Sequence, residues 1–394
     1  MANKNLSNAK NAKNDEFYTQ LNDISKEMNA YLEYNPDVFK GKTILLPCDD
    51  PEWSNFTQYF ALNFEAFGLK KLISTSYAVE SKKYKYGYQP TLFETQSPAF
   101  DSNKSLTHGK IFILDRDVTG DGRVDVDDLK WSYLEGDGDF RSAEVTALRD
   151  EADIIITNPP FSLFREFLAW IMEADKQFAI IGNMNAITYK EVFPLIKDNK
   201  IWLGNGFQSG NAFFSIPIAN REYASGVYDE TTGLVKFRNC CWFTNIDLGR
   251  RHQPLSLMTM ADNIKFSKHK EIREHGYLHY DNYDAIEVPY TDAIPSDYDG
   301  VMGVPISFLN RHCSLQFAIL GITKTWFGAA KKLYPPQIQV DKNGNETNVT
   351  KLNDGAVIEL NTPPKVTTYY KVDDKIYIQV YARVLIQRLK SMDN

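Results

Sequence analysis

Short apolar runs punctuate the first half of the chain, and helical spacing fills two of the gaps between them. "KTILLP" (42–47), "LKKLISTSY" (69–77), "KIFILD" (110–115), "DIIIT" (153–157) and "FAIIGN" (178–183) read as strands. Between the first two, Phe56, Tyr59, Phe60, Asn63 and Phe67 have mixed helical spacing, and Gly68 is a natural stop. After 157, Phe164, Phe167, Leu168, Ile171 and Met172 recur at three and four, the mark of an amphipathic helix. Strands without polar alternation, interleaved with helices, predict an α/β fold with a parallel sheet covered on both faces. Ligands in such sheets bind where carboxyl ends of strands meet loops. The loops to watch are therefore "PCDDPEWSN", "STSYAVE" and "NPPF".

Beyond Trp202 the pattern changes: Gly, Asn and aromatic residues abound ("GNGFQSGNAFFSIP", "NCCWFTNIDLGRRHQPL") and helical spacing is scarce. The expected organisation is a first domain over 1–200 and a loop-rich second region over 201–394. "DKNGNETNVTKLNDGAVIELNTPPK" reads as hairpins with a polar insertion, and "DKIYIQVYARVLIQRL" as a closing strand or helix.

With 43% hydrophobic and 24% charged residues in 394, the composition is that of an ordinary globular protein. No run approaches the roughly 18 apolar residues of a membrane span, and "MANKNLSNAKNAKND" lacks a signal peptide's apolar core. Cys48, Cys240, Cys241 and Cys313 show no CxxC spacing, so a reduced, cytoplasmic protein is expected. The net charge of -7 argues against a polyanionic partner only globally. Acids cluster between Asp115 and Asp153, whereas Lys236, Arg238, Arg250, Arg251, Lys265, Lys268, Lys270 and Arg273 mark the later region as a DNA-facing or merely solvated surface.

"NPPF" carries the most specific chemistry. Asn158 offers an amide oxygen, Pro159 and Pro160 fix the backbone without adding donors, and Phe161 supplies a flat ring. Such acceptors suit an exocyclic amino group, of which adenine N6 is the natural example; read bare, the stretch is also an ordinary strand-end turn. "CDDP" has no glycine to cradle phosphate, and Asp49 and Asp50 suit the cationic amino acid end of S-adenosylmethionine or simply form an acidic turn. "NDEFYTQ" places aromatics early, to serve a ligand or staple a helix. "GDGDFRS" pairs an acceptor, Asp139, with a ring, Phe140, as an adenine site would. "DVTGDGRVDVDD" aligns Asp117, Thr119, Asp121, Asp125 and Asp128 with positions one, three, five, nine and twelve of a calcium loop, Gly122 at six; a surface turn is the alternative. His275 and His279, four apart, lack a surrounding ligand set.

Taken together, "KNDEFYTQ", "CDDP" with "SNF" and "YFALNF", "GLKK", "GDGDFRS", "DIIITNPPFSLFRE", "NAITYKEVF", "NKIWLG", "YDNYDAI" and "DYDGVMGVPISFL" resemble the EcoRI-type adenine-specific DNA methyltransferases over roughly residues 10 to 330. The resemblance implies a Rossmann-like sheet that binds S-adenosylmethionine, a loop-rich target-recognition domain, and methyl transfer to N6 of an adenine flipped out of double-stranded DNA. It implies that Asn158 and Pro159 hold the amino group and that Phe161 stacks on the base, with Pro160 completing the motif. Phe17, Tyr18, Thr19, Pro47, Cys48 and Asp49 would touch the methionine part of the cofactor, and Asp139 and Phe140 its adenine. Glu80 stands near where related sheets place a ribose-binding acid. Cys48 is not expected to act as a nucleophile. A restriction endonuclease of the same system is the implied companion, without stable contact, and no membrane is implied. The Asp-rich insertion near Asp117 and the stretch around 330 to 365 depart from the family pattern.

Overall fold

The computed structural model describes residues 18–49, 54–78, 95, 97–207, 210–215, 227–365 and 367–389. Phe17, Asp50 and Glu80 lie outside them. The described residues fall into two compact units, one within 1–183 and 201–249, the other within 184–200 and 250–394.

The first unit contains β1 (Tyr18–Thr19), α1 (Leu21–Tyr34), β2 (Thr43–Pro47), α2 (Asn55–Leu62), α3 (Phe64–Phe67), β3 (Lys71–Thr75), β4 (Lys110–Leu114), β5 (Lys130–Tyr133), α4 (Ala143–Glu151), β6 (Ile154–Thr157), α5 (Phe164–Glu173), β7 (Gln177–Asn183), β8 (Trp202–Leu203), β9 (Asn211–Ser215), β10 (Tyr228–Asp229), β11 (Leu234–Arg238) and β12 (Cys240–Thr244). Its large sheet runs β5-β4-β3-β2-β6-β7-β12-β8. The centre, β3-β2-β6-β7, is parallel. Every residue of β2 and β6 is buried, as a strand packed on both faces requires. Ile24, Met28 and Tyr31 of α1 and Phe56 and Phe60 of α2 share a core cluster with Ile44, Leu46, Ile154 and Ile156. Ser54 caps α2 by accepting from the Phe56 amide, and Gly68, left-handed at φ 64°, ends α3.

The parallel pattern expected of "KIFILD" does not hold. β4 is antiparallel to β3, and β5 to β4. The run alternates buried and half-buried positions, the mark of a strand outside the doubly covered centre. Residues 202–244, loop-like by composition, return to the first unit: β12 pairs antiparallel with β7 and β8, and β1-β9-β11-β10 form a second sheet. Cys240 and Cys241 lie in β12, both buried and both free thiols.

The second unit holds α6 (Phe193–Lys197), α7 (Met260–Phe266), α8 (Lys270–His275), β13 (Ile286–Glu287), β14 (Met302–Pro305), β15 (Phe317–Ile322), β16 (Gln337–Val340), β17 (Glu346–Val349), β18 (Val357–Leu360), β19 (Tyr369–Val372), β20 (Lys375–Gln379) and β21 (Arg383–Arg388). They form the sheets β13-β14-β21-β15 and β17-β16-β19-β20-β18. β16 and β17 make one expected hairpin, and the closing segment forms β20 and β21. Asn282 of "YDNYDAI" ties into the five-stranded sheet: its Nδ2 donates to Gly355 O at 2.9 Å and its Oδ1 accepts from Val357 N at 2.9 Å. Among the described residues, no helix is long and apolar enough to cross a membrane.

Candidate active site

From β2 the chain steps to β3 on one side of the sheet, then returns at β6 on the other. The strand order reverses between β2 and β6, the kind of switch point outside whose carboxyl ends open α/β sheets bind ligands. Pro47, Cys48 and Asp49 leave the end of β2; Thr157, Asn158, Pro159, Pro160 and Phe161 run from the end of β6. Cys48 turns the chain with a left-handed φ of 71°, a costly conformation for a side-chain-bearing residue.

Backbone pairing of β2 with β6 reaches only Leu45–Ile155. Beyond that, the buried Thr157 side chain joins the two strand ends. Its Oγ1 lies 2.6 Å from Pro47 O and 2.6 Å from Asp49 Oδ2. The other Asp49 oxygen accepts from Ser54 Oγ at 2.8 Å. Asp49 N donates to Thr75 O at 2.8 Å, and its carbonyl accepts from Ser74 Oγ, which itself lies 2.9 Å from Thr57 Oγ1. Asp49, only 5% exposed, therefore joins the loop after β2 to the residue preceding Asn158.

Within "NPPF", the Oδ1 of Asn158 is shielded from solvent. The Pro160 carbonyl accepts from Leu163 N at 2.9 Å, closing the 3₁₀ turn that leads into α5. The Phe161 ring stands edge-on to Phe214 of β9 (centroids 6.3 Å, 77°) and Phe237 of β11 (5.8 Å, 72°). The small sheet thus seats the ring. It also brings in the early aromatic motif: Thr19 pairs with Phe214, Tyr18 with Ser215, and Asn55 Nδ2 holds Thr19 O at 2.7 Å.

The "GDGDFRS" loop packs against the end of β3. A Cβ on Gly138, whose φ is 82°, would meet Ser76 O at 2.3 Å, so only glycine lets the two backbones approach. Asp139 is held by Arg141, with Nε at 2.9 Å and Nη2 at 2.6 Å, and that hydrogen bonding lowers its carboxyl pKa. Arg141 also reaches Glu166 of α5 at 3.0 Å. Burial and the carboxylates of Asp137 and Asp139 push the neighbouring Tyr77 hydroxyl up to about 12. Phe140, expected to offer a stacking face, is only 4% exposed; it packs edge-on to Phe167 (5.0 Å) and Trp170 (5.5 Å) with the Arg141 guanidinium over its ring.

Two buried hydroxyls, Thr19 Oγ1 and Thr75 Oγ1, have no hydrogen-bond partner among the described residues. Buried polar atoms without a partner call for an explanation, and a polar ligand is one that suits these two hydroxyls. Ser54, Ser74, Thr75, Phe214 and Phe237 were not singled out from the sequence. Thr157 had a visible signal, a hydroxyl ending an all-isoleucine strand; the others are ordinary residues until the sheets align them.

The Asp-rich loop closes on its own backbone. Asp117 accepts from the Gly120 and Gly122 amides, Asp121 from Arg123 N, and Asp125 from Asp127 N. The Thr119, Val118 and Asp125 amides converge on Asp128, and the first two chiefly hold its carboxyl at about 2. Among the described residues, no group of three or more His, Cys, Asp or Glu side chains is placed to hold a metal ion.

Residues 5–389 match the family model described as adenine-specific methyltransferase EcoRI. The chain is 42% identical over 324 residues to the type II methyltransferase M.EcoRI of Escherichia coli, covering 82% of this chain and 90% of that protein. It is 33% identical over 315 residues to type II methyltransferase M.MpnI of Mycoplasma pneumoniae, covering 79% and 83%. It is similarly 33% identical over 315 residues to type II methyltransferase M.MgeORF184P of Mycoplasma genitalium, covering 79% and 84%. No solved structure matches significantly. With its "NPPF" loop at the strand crossover and this similarity across nearly its whole length, the chain belongs to the EcoRI family of adenine-specific methyltransferases and is a DNA-methylating enzyme.

Proposed function

We propose that the protein moves a methyl group from S-adenosylmethionine to N6 of an adenine flipped out of double-stranded DNA at a specific site. It would work in the cytoplasm, as the modifying half of a restriction system or as a solitary methylase. The observation that carries this reading is the junction at the crossover, where Thr157 and Asp49 join the loop after β2 to the start of "NPPF". In this reading the first unit is a Rossmann-like cofactor-binding fold, and target recognition lies within residues 201–394, including the strands that fold with the first unit.

Tyr18, Thr19, Pro47, Cys48 and Asp49, with Phe17, would hold the methionine part of the cofactor, and Asp139 its adenine. Phe140 would support that pocket from the core. The cofactor, when bound, supplies an electrophilic methyl group. Asn158 Oδ1 and the Pro159 carbonyl accept the two hydrogens of the adenine amino group. That orients the nitrogen lone pair outward and favours the positive charge that develops on N6 during transfer. Phe161, braced by Phe214 and Phe237, stacks on the extruded base, offsetting part of its unstacking cost.

The test is direct. Protein, S-adenosylmethionine and unmethylated DNA are incubated, the DNA is digested to nucleosides, and N6-methyladenine is sought by mass spectrometry. Its appearance supports the reading; its absence while the cofactor still binds points to RNA or protein amides instead.

Thr157→Val probes the junction. The swap keeps the shape and removes the one hydroxyl donor that lies between Pro47 O and Asp49 Oδ2, so Asn158 loses its fixed starting point. Transfer at saturating cofactor is expected to fall about 10- to 100-fold, the effect of a small misplacement of a reacting group. Thr157→Ser should restore most of the rate. Unchanged turnover in Thr157→Val would show that the junction does not position Asn158.

A further inference from the structure

We propose that the open face of the β1-β9-β11-β10 sheet, the reverse of the face that seats Phe161, is a DNA-backbone contact surface; this rests on the function proposed above. The sheet has two unlike faces. Ala212, Phe214 and Val235 are fully buried on one, where Phe214 and Phe237 seat Phe161. Because side chains alternate along a strand, Phe213, Lys236 and Arg238 fall on the other. Phe213 is 40% exposed. Lys236 lies directly across from it in β11, with Nζ 5.6 Å from the ring centroid, and Arg238 stands opposite Asn211.

Neither Lys236 nor Arg238 makes an ion pair with a described residue, although cations on the exposed strands of the five-stranded sheet do. There Lys371 meets Glu346 at 2.7 Å and Lys375 meets Glu359 at 2.9 Å. Asp229, a carboxylate on the same open face, is turned to its own loop and accepts from Thr231 N at 2.9 Å. Two such cations beside an exposed ring, on a chain of net charge -7, form a local field opposite in sign to the whole. Its chemistry fits phosphate oxygens, with the ring lying along sugar or base. The charges select a polyanion, and the duplex that is the substrate in the reading above is the occupant.

The test is a salt series of DNA binding by the intact protein and by the Lys236→Gln/Arg238→Gln variant, which keeps much of each side-chain stem. A fluorescent duplex serves as the probe. With two phosphates no longer neutralised, the slope of log affinity against log salt should flatten by about 1.8, and affinity near 0.1 M salt should fall at least about tenfold. Binding of S-adenosylmethionine and the melting temperature should not change. Phe213→Ala should weaken binding without altering the slope. An unchanged slope and affinity in the double variant would overturn the proposal. So would sedimentation showing that the wild type self-associates and the variant does not, because the face would then be covered by a second copy. N6-methyladenine formation by the wild type, scored separately, reports on the underlying function and keeps the two failures apart.

Discussion

Asn158→Ala should bind DNA about as tightly as the wild type and transfer methyl groups about 10²- to 10³-fold more slowly, the usual cost of removing one preorganised group that acts on developing charge. The substitution deletes a single acceptor at the head of "NPPF". It leaves Thr157, Asp49 and the Phe161 seat in place, so the strand-end junction and the small sheet persist. The Pro159 carbonyl still takes one amino hydrogen, but the other loses its partner and the nitrogen lone pair is no longer aimed. A binding titration and a single-turnover assay separate the two effects. Near-normal turnover would remove Asn158 from the reaction, and with it the reading of the motif. A parallel loss of binding and transfer would instead make the residue a structural part of the DNA interface.

The second large effect is expected in the other unit and concerns stability. Glu287 and Arg383 face each other almost out of solvent, with Arg383 Nη2 2.6 Å and Nε 3.0 Å from Glu287 Oε1. The Tyr280 hydroxyl donates to the second carboxylate oxygen. Burial, followed by that carboxylate, holds the Tyr280 hydroxyl well above its ordinary pKa, so it remains a donor. Glu287→Ala leaves the Arg383 guanidinium buried without its acceptor, while the Tyr280 hydroxyl keeps Gly303 O at 3.4 Å; the stranded charge costs roughly 3–5 kcal/mol. Denaturant unfolding should show a transition displaced to lower concentration. Replacing Glu287 and Arg383 together by methionine should recover most of the loss, since no charge is then stranded. A Glu287→Ala protein as stable as the wild type would show that solvent reaches the pair.

The contrast between centre and margins of the large sheet explains what the sequence disclosed. β2 and β6 are unbroken apolar runs because both faces are covered, and that signature is local. The helix after "NPPF" was equally plain, with Phe164, Phe167, Leu168 and Ile171 all buried. β4 was legible as a strand but not in its direction, which is set by the partner; β5, "KWSY", escaped altogether because none of its four residues is buried. β12 escaped because "CCWFT" resembles its aromatic, polar surroundings, although all five residues are buried. The site follows the same division. Asn158 and its prolines were legible as a motif, whereas the Phe161 seat depends on pairing between residues 211–215 and 234–238, a tertiary fact. The inward packing of Phe140 beside Asp139 was likewise not legible in the motif, because it depends on Phe167 and Trp170 of the following helix.

The placement of β12 between β7 and β8 also has a consequence for birth on the ribosome. Trp202 and Leu203 of β8 find their ladder partners only at Thr244 and Phe243, and the edge of β7 waits for the same strand. At ordinary elongation rates of about 5–20 residues per second, a delay of roughly 60 residues leaves the β7 edge uncovered for about 3–12 s, and β8 waits about 2–8 s. A chaperone would act on this interval, before β12 closes the margin of the large sheet.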